Sequence, residues 1–170
     1  LYAGYLALAP PAVSHLLTII DSHLSADPER SDVVHDLLAF LAEQMMELNE
    51  QKQTEMKGFL AWLQREMGAN LDDLAGKSTL RHYLGDYHKA EPHLTFDSLL
   101  DLLRKNQRKL KANPGARAFQ EHLQTEYTTS LDKLLPLKAH LAATDRLIDE
   151  IVYRLYGLTE EEIAVVEGKA

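Results

Sequence analysis

The 170 residues carry 18 Lys and Arg against 26 Asp and Glu, a formal net charge of -8, with 45% hydrophobic and 26% charged residues. That balance supports a packed core and excludes wholesale disorder, while confining any contact with nucleic acid to a local basic cluster. The absence of cysteine excludes disulfides, thiolate metal sites and cysteine nucleophiles.

The apolar stretch from Tyr2 to Val13 is interrupted by Gly4, Pro10 and Pro11. It falls short of the roughly 20 residues of a membrane helix and has no basic segment before it, so neither a membrane span nor a signal peptide is expected. A cytoplasmic location follows as the expectation. The start at Leu1, inside an apolar run, reads as the interior of a longer polypeptide.

Pro10 and Pro11 suit the first turn of a short helix that carries Val13, Leu16, Leu17, Ile20 and Leu24 and is broken at Asp27 and Pro28. Residues 1–30 are thus a short helix and a linker. Ser31 or Asp32 caps a long helix over residues 31–68, with apolar residues from Val34 to Met67 at helical spacing. Its middle, Asn49 to Glu55, is polar yet rich in helix formers, which predicts a solvated bridge between two packed ends. Residues 69–94 read as one or two short helical turns and then a loop rich in His, Gly and Pro.

Thr95 is placed to cap a helix over residues 95–112 with Phe96, Leu99, Leu100, Leu102 and Leu103 on its apolar side. Asn113, Pro114 and Gly115 end it. A second long helix, residues 115–157, spaces Phe119, Leu123, Tyr127, Leu131 and Leu134 through to Leu155 by threes and fours, with a kink or break expected at Pro136. Gly157 serves as its left-handed terminator, and Thr159 with Glu162 forms a capping box for a last helix within residues 159–168. No alternating strand pattern or internal repeat occurs. The expected class is therefore an all-α helical bundle with two long helices, antiparallel or coiled-coil-like.

Catalytic chemistry finds little footing. There is no glycine-rich phosphate loop and no nucleophile elbow, and the paired carboxylates Asp72 and Asp73, Asp149 and Glu150, and Glu160 to Glu162 suit helix starts or solvated faces. His82, His88 and His93, with Asp86 and Glu91 between them, match no standard metal spacing and read first as a solvated loop; Asp32, His35 and Asp36 read as capping and pairing groups. Trp62, Phe59, Tyr83 and Tyr87 could stack bases, but aromatics at helical spacing among Leu and Met are more often core. The basic cluster Arg104, Lys105, Arg108, Lys109, Lys111 and Arg117 is the strongest single feature. It has two readings: contact with phosphates, or a solvated complement to the helix C-terminus.

The segment from Ala143-Thr144-Asp145-Arg146-Leu147-Ile148-Asp149-Glu150-Ile151-Val152-Tyr153-Arg154-Leu155-Tyr156-Gly157-Leu158 through Thr159-Glu160-Glu161-Glu162-Ile163 to Val165-Val166-Glu167 resembles the C-terminus of the type IIG restriction enzyme and adenine-specific DNA methyltransferase family. Thr95-Phe96-Asp97-Ser98-Leu99-Leu100 with the basic run after it, Phe119 leading into the long helix, and Val34 to Met45 through Gly58 to Leu63 extend the resemblance over most of the chain after Asp32. The family's Asn-Pro-Pro-Tyr type motif and its glycine-rich S-adenosylmethionine motif are missing, the one Asn-Pro being Asn113-Pro114 followed by Gly115. No Pro-Asp with Glu-x-Lys nuclease signature is evident either.

The resemblance thus implies a non-catalytic helical segment that supports target recognition. Methylation, cleavage, S-adenosylmethionine and any magnesium would belong to the rest of the parent polypeptide, and DNA would be the partner. The alternative is a free-standing helical interaction or dimerisation module, and an independent enzyme built around His82, His88 and His93 is third.

Overall fold

The computed structural model describes residues 1–7 and 9–169, apart from the side chains of residues 6, 7 and 10. Seven α-helices are described: α1 (Tyr2–Ala7), α2 (Pro10–Leu24), α3 (Ser31–Met67), α4 (Lys77–Arg81), α5 (Phe96–Lys105), α6 (Arg117–Leu155) and α7 (Glu160–Val166). Single 3-10 turns occur at Leu71–Asp73 and Gln107–Lys109, and no strand occurs among the described residues. The all-α class stands, with α3 and α6 as the two long helices. The chain divides into two compact units, residues Leu1–Glu47 with Leu141–Ala170, and residues Leu48–His140.

In the first unit, Leu16 and Ile20 of α2 pack with Val34, Leu37 and Leu41 of α3 and with Leu147 and Ile151 of α6. Pro10 and Pro11 occupy the first turn of α2, where a missing N–H costs no intrahelical bond. The apolar start of the chain is itself a helix, α1, and it buries Tyr5 in the same cluster; the Tyr5 hydroxyl meets Thr144 Oγ1 at 3.3 Å. Gly157 ends α6 at φ +62, with the Leu158 N–H bonded to Tyr153 O and the Gly157 N–H to Arg154 O. The expected capping box is complete: Glu162 N–H donates to Thr159 Oγ1 and Thr159 N–H donates to Glu162 Oε2 at 2.8 Å. Those bonds from Thr159 hold the Glu162 carboxyl below its ordinary range.

In the second unit, Phe59, Leu63 and Met67 of α3 face Phe119, Leu123 and Tyr127 of α6, and the segment between the two helices closes the core with Leu71, Leu74, Leu80, Tyr83, Leu99 and Leu103. The helices run antiparallel here. Glu55 pairs with Lys133 at 3.0 Å and Glu66 meets His122 at 3.2 Å, equal steps in opposite directions along the two chains. Phe59, Tyr83 and Tyr127 form the aromatic centre, with ring centroids 5.1 to 5.7 Å apart. Within the second unit the polar middle of α3 is not a bare solvated bridge: Asn49, Lys52 and Glu55 are half-buried there, and Glu55 is the residue that pairs with Lys133 of α6.

Two boundaries differ from expectation. The helix over residues 95–112 stops at Lys105 because Asn106 intervenes: its Nδ2 donates to Leu102 O and to Ala75 O, so a side chain takes up the carbonyl of the last turn. Pro136 makes no break; it lies inside α6, where it removes one backbone hydrogen bond.

Candidate functional site

The basic cluster occupies one end of the second unit. Thr95 caps α5 by accepting from the Ser98 N–H, and Asp97 stands in the first turn while Arg104 and Lys105 stand in the last, the arrangement the helix dipole favours. The chain then turns through Gln107–Lys109 and is tied to the end of α3 by Lys111 and Ala112, whose N–H groups both donate to Met67 O. Gly68, at φ +62, permits that approach, because a Cβ there would lie 2.8 Å from Lys111 Cβ.

All six basic residues are exposed, but they are not equivalent. Arg104 pairs with Asp101 at 3.4 Å and Arg117 with Glu121 at 2.7 Å, both along their own helices. Lys109 Nζ donates to the Asp73 carbonyl at 2.6 Å and anchors the turn at Leu71–Asp73. The side chains of Lys105, Arg108 and Lys111 have no ion-pair or hydrogen-bond partner among the described residues. Exposed pairs such as Arg104 with Asp101 are worth about 0 to 1 kcal/mol, so a phosphate can displace them at little cost.

Asn106, which spacing alone did not single out, is the structural centre of this end. It is only 4% exposed, its Oδ1 accepts from the Ala75 N–H at 2.8 Å, and its Nδ2 reaches Ala75 O and Leu102 O at 2.9 Å each. One amide therefore clamps the segment before α4 to the end of α5.

Among the described residues, those of the histidine loop included, no three His, Cys, Asp or Glu side chains stand together as a group that could hold an ion. His82 Nδ1 lies 2.9 Å from Ser78 O, and His88 packs against the Tyr87 ring with centroids 4.0 Å apart. Of the aromatics weighed for stacking, Phe59 and Tyr83 are core, and Trp62 is half-buried with its ring edge-on to His122. Burial pushes the Tyr83 hydroxyl up to about 12 and raises Tyr127 as well. Tyr87 instead lines a cleft in the second unit.

No described helix is long and apolar enough to cross a membrane. A family model described as a domain of unknown function, DUF8810, matches residues 32–152. No curated protein and no solved structure matches the chain.

Proposed function

The chain belongs to DUF8810, a family of domains of unknown function, and since that membership carries no activity with it we propose a role from the residues themselves: a non-catalytic helical segment of an adenine-specific restriction-modification methyltransferase, touching DNA phosphates through the basic end of the second unit. The observation that carries this reading is the set Lys105, Arg108 and Lys111, exposed and with unpartnered side chains beside Arg104, Lys109 and Arg117 on a chain of net charge -8. An acidic protein that gathers six of its 18 Lys and Arg within residues 104–117 has a local place for a polyanion, and each phosphate neutralised there releases condensed counterions. The resemblance of residues 143–167 to the C-termini of type IIG enzymes supports the choice of DNA. In this reading methyl transfer, its S-adenosylmethionine and any nuclease magnesium belong to the parent polypeptide, since this chain has neither the glycine-rich motif nor, among its described residues, a strand from which such a turn could start.

The test is fluorescence anisotropy with a labelled duplex across a series of salt concentrations. Three or four phosphate contacts predict a log-log slope of roughly -3, and Lys105→Glu with Arg108→Glu abolishes binding without touching a structural contact. Absence of binding at low salt, or equal binding by the double variant, rules the role out.

A second reading, a helical interaction or dimerisation module, draws on the first unit. There Tyr156, Val165 and Val166 are 72%, 66% and 64% exposed at the end of α6 and on α7. It predicts a mass that rises with concentration in sedimentation and falls back on Tyr156→Ser substitution.

A further inference from the structure

A cleft of about 610 Å3 opens in the second unit between the polar middle of α3, the loop after α4, and α6. It lies among groups the proposed DNA contact does not use. The loop that forms one wall is held tightly. Lys138 of α6 donates from Nζ to Leu84 O at 2.8 Å and also to Glu91 O, fastening both ends of the loop to one ammonium. Gly85 stands at φ +74, where a Cβ would lie 2.5 Å from Pro92 O, and Ala90 adopts φ 51 although it has a side chain. Left-handed backbone at an alanine costs roughly 1 kcal/mol and persists where the surroundings impose it, often beside a binding site.

That wall presents two carboxylates with capacity to spare. Asp86 Oδ1 accepts from the His88 N–H at 2.9 Å, and Glu91 Oε2 accepts from the Asp86 N–H at 3.2 Å, so each carboxylate keeps an oxygen for another donor. Cations share the cleft with them, from α3 and from the loop itself. Lys52 of α3 donates to Asn49 Oδ1 at 2.8 Å and stands 5.5 Å from the Tyr87 ring centre, while Lys89 on the loop has no ion-pair or hydrogen-bond partner among the described residues. Burial holds the Lys52 and Lys138 ammoniums below their ordinary range, outweighing the pull of Asp86 on the first and of Glu91 and Asp86 on the second. The neighbouring carboxylates therefore do not repay the desolvation of these lysines, and an added anion would.

Lys52, Lys89 and Lys138 against Asp86 and Glu91 make a cleft of mixed charge. A bare anion would meet the lysines but be opposed by the carboxylates, and a neutral sugar would leave the lysines uncompensated. A molecule with an anionic head and hydroxyl donors satisfies both. We propose that this cleft binds a hydroxyl-bearing phosphomonoester, a sugar phosphate or a nucleotide, with the phosphate on Lys52 and Lys89 and the hydroxyls donating to Asp86 and Glu91. The cavity volume lies within the range of small-ligand sites.

Isothermal titration of the chain with ribose phosphate, adenosine monophosphate, inorganic phosphate and free ribose tests this. Ribose phosphate is expected to bind more tightly than either inorganic phosphate or ribose. Adenosine monophosphate binding more tightly still identifies a nucleotide as the occupant, and weaker binding identifies a sugar phosphate. Lys52→Met keeps the side-chain stem, and Asp86→Asn keeps the acceptor for the His88 N–H; each is expected to weaken ribose phosphate binding about tenfold or more through loss of a charge-assisted hydrogen bond. The Lys105→Glu, Arg108→Glu variant is expected to bind the ligand unchanged, which separates this site from the DNA contact. Unaltered Trp62 emission certifies the fold of each variant. Ribose phosphate no tighter than inorganic phosphate, or undiminished in Asp86→Asn, overturns the proposal.

Discussion

Replacing Asn106 by Ala removes three hydrogen bonds at once, two donated by Nδ2 to Ala75 O and Leu102 O and one accepted by Oδ1 from the Ala75 N–H. Each such bond contributes about 1 kcal/mol net, and a donor or acceptor left buried without a partner costs about 1 to 3 kcal/mol more. Ala75 is exposed, so water can reach its freed groups, whereas the Asn106 site itself is only 4% exposed. The expected loss is therefore about 2 to 3 kcal/mol, equivalent to a fall in melting temperature of roughly 10 °C. The single tryptophan, Trp62, lies in the second unit with its ring stacked on Phe59 at 5.8 Å, so urea unfolding followed by its emission reads this unit. Asn106→Asp serves as the control that keeps the acceptor for Ala75 but loses both donors and buries a charge, and it should be no milder than Ala. A loss below about 0.5 kcal/mol in the Ala variant would show that the amide clamp does not hold the basic end in place.

Two further outcomes follow from the same unit. Gly85→Ala forces a Cβ to within 2.5 Å of Pro92 O and 2.6 Å of Glu91 O at a φ of +74, both backbone atoms that cannot swing aside; a destabilisation of about 2 kcal/mol or more is expected in urea titration, and a neutral result would contradict the close approach. Tyr83, with its hydroxyl 2.8 Å from Ser130 Oγ, keeps its proton in the folded chain up to about pH 12, whereas an unfolded tyrosine loses it near 10. Between those values the unfolded state binds fewer protons, so stability must fall as pH rises through that window while neutral pH is unaffected. Tyr83→Phe should flatten part of that alkaline decline, with Tyr127 supplying the remainder, and an identical slope in the variant would refute the assignment.

Local rules read well where an element depends on its own residues. Periodicity located both long helices, the capping box at Thr159 and Glu162 and the cap at Thr95 followed from single side chains, and the charge count isolated the cluster from Arg104 to Arg117. The errors are of one kind. The basic residues after Lys105 are good helix formers and carry the helical pattern onward, and what stops the helix is an amide that finds Ala75, 31 residues away. Helix α1 has too short a pattern to announce itself locally, and it is held by the burial of Tyr5 against α2, α3 and α6.

The amino-acid sequence by itself thus determined the all-α class, the positions of the long helices and the one concentration of positive charge, since each depends on spacing or composition within a short stretch. Tertiary structure alone decided which cations are free, that Asn106 anchors the basic end, and that Lys52, Asp86, Glu91 and Lys138 line one cleft. The physical reason is that ion pairs, desolvation and cavities arise between residues far apart in the chain, where periodicity carries no information.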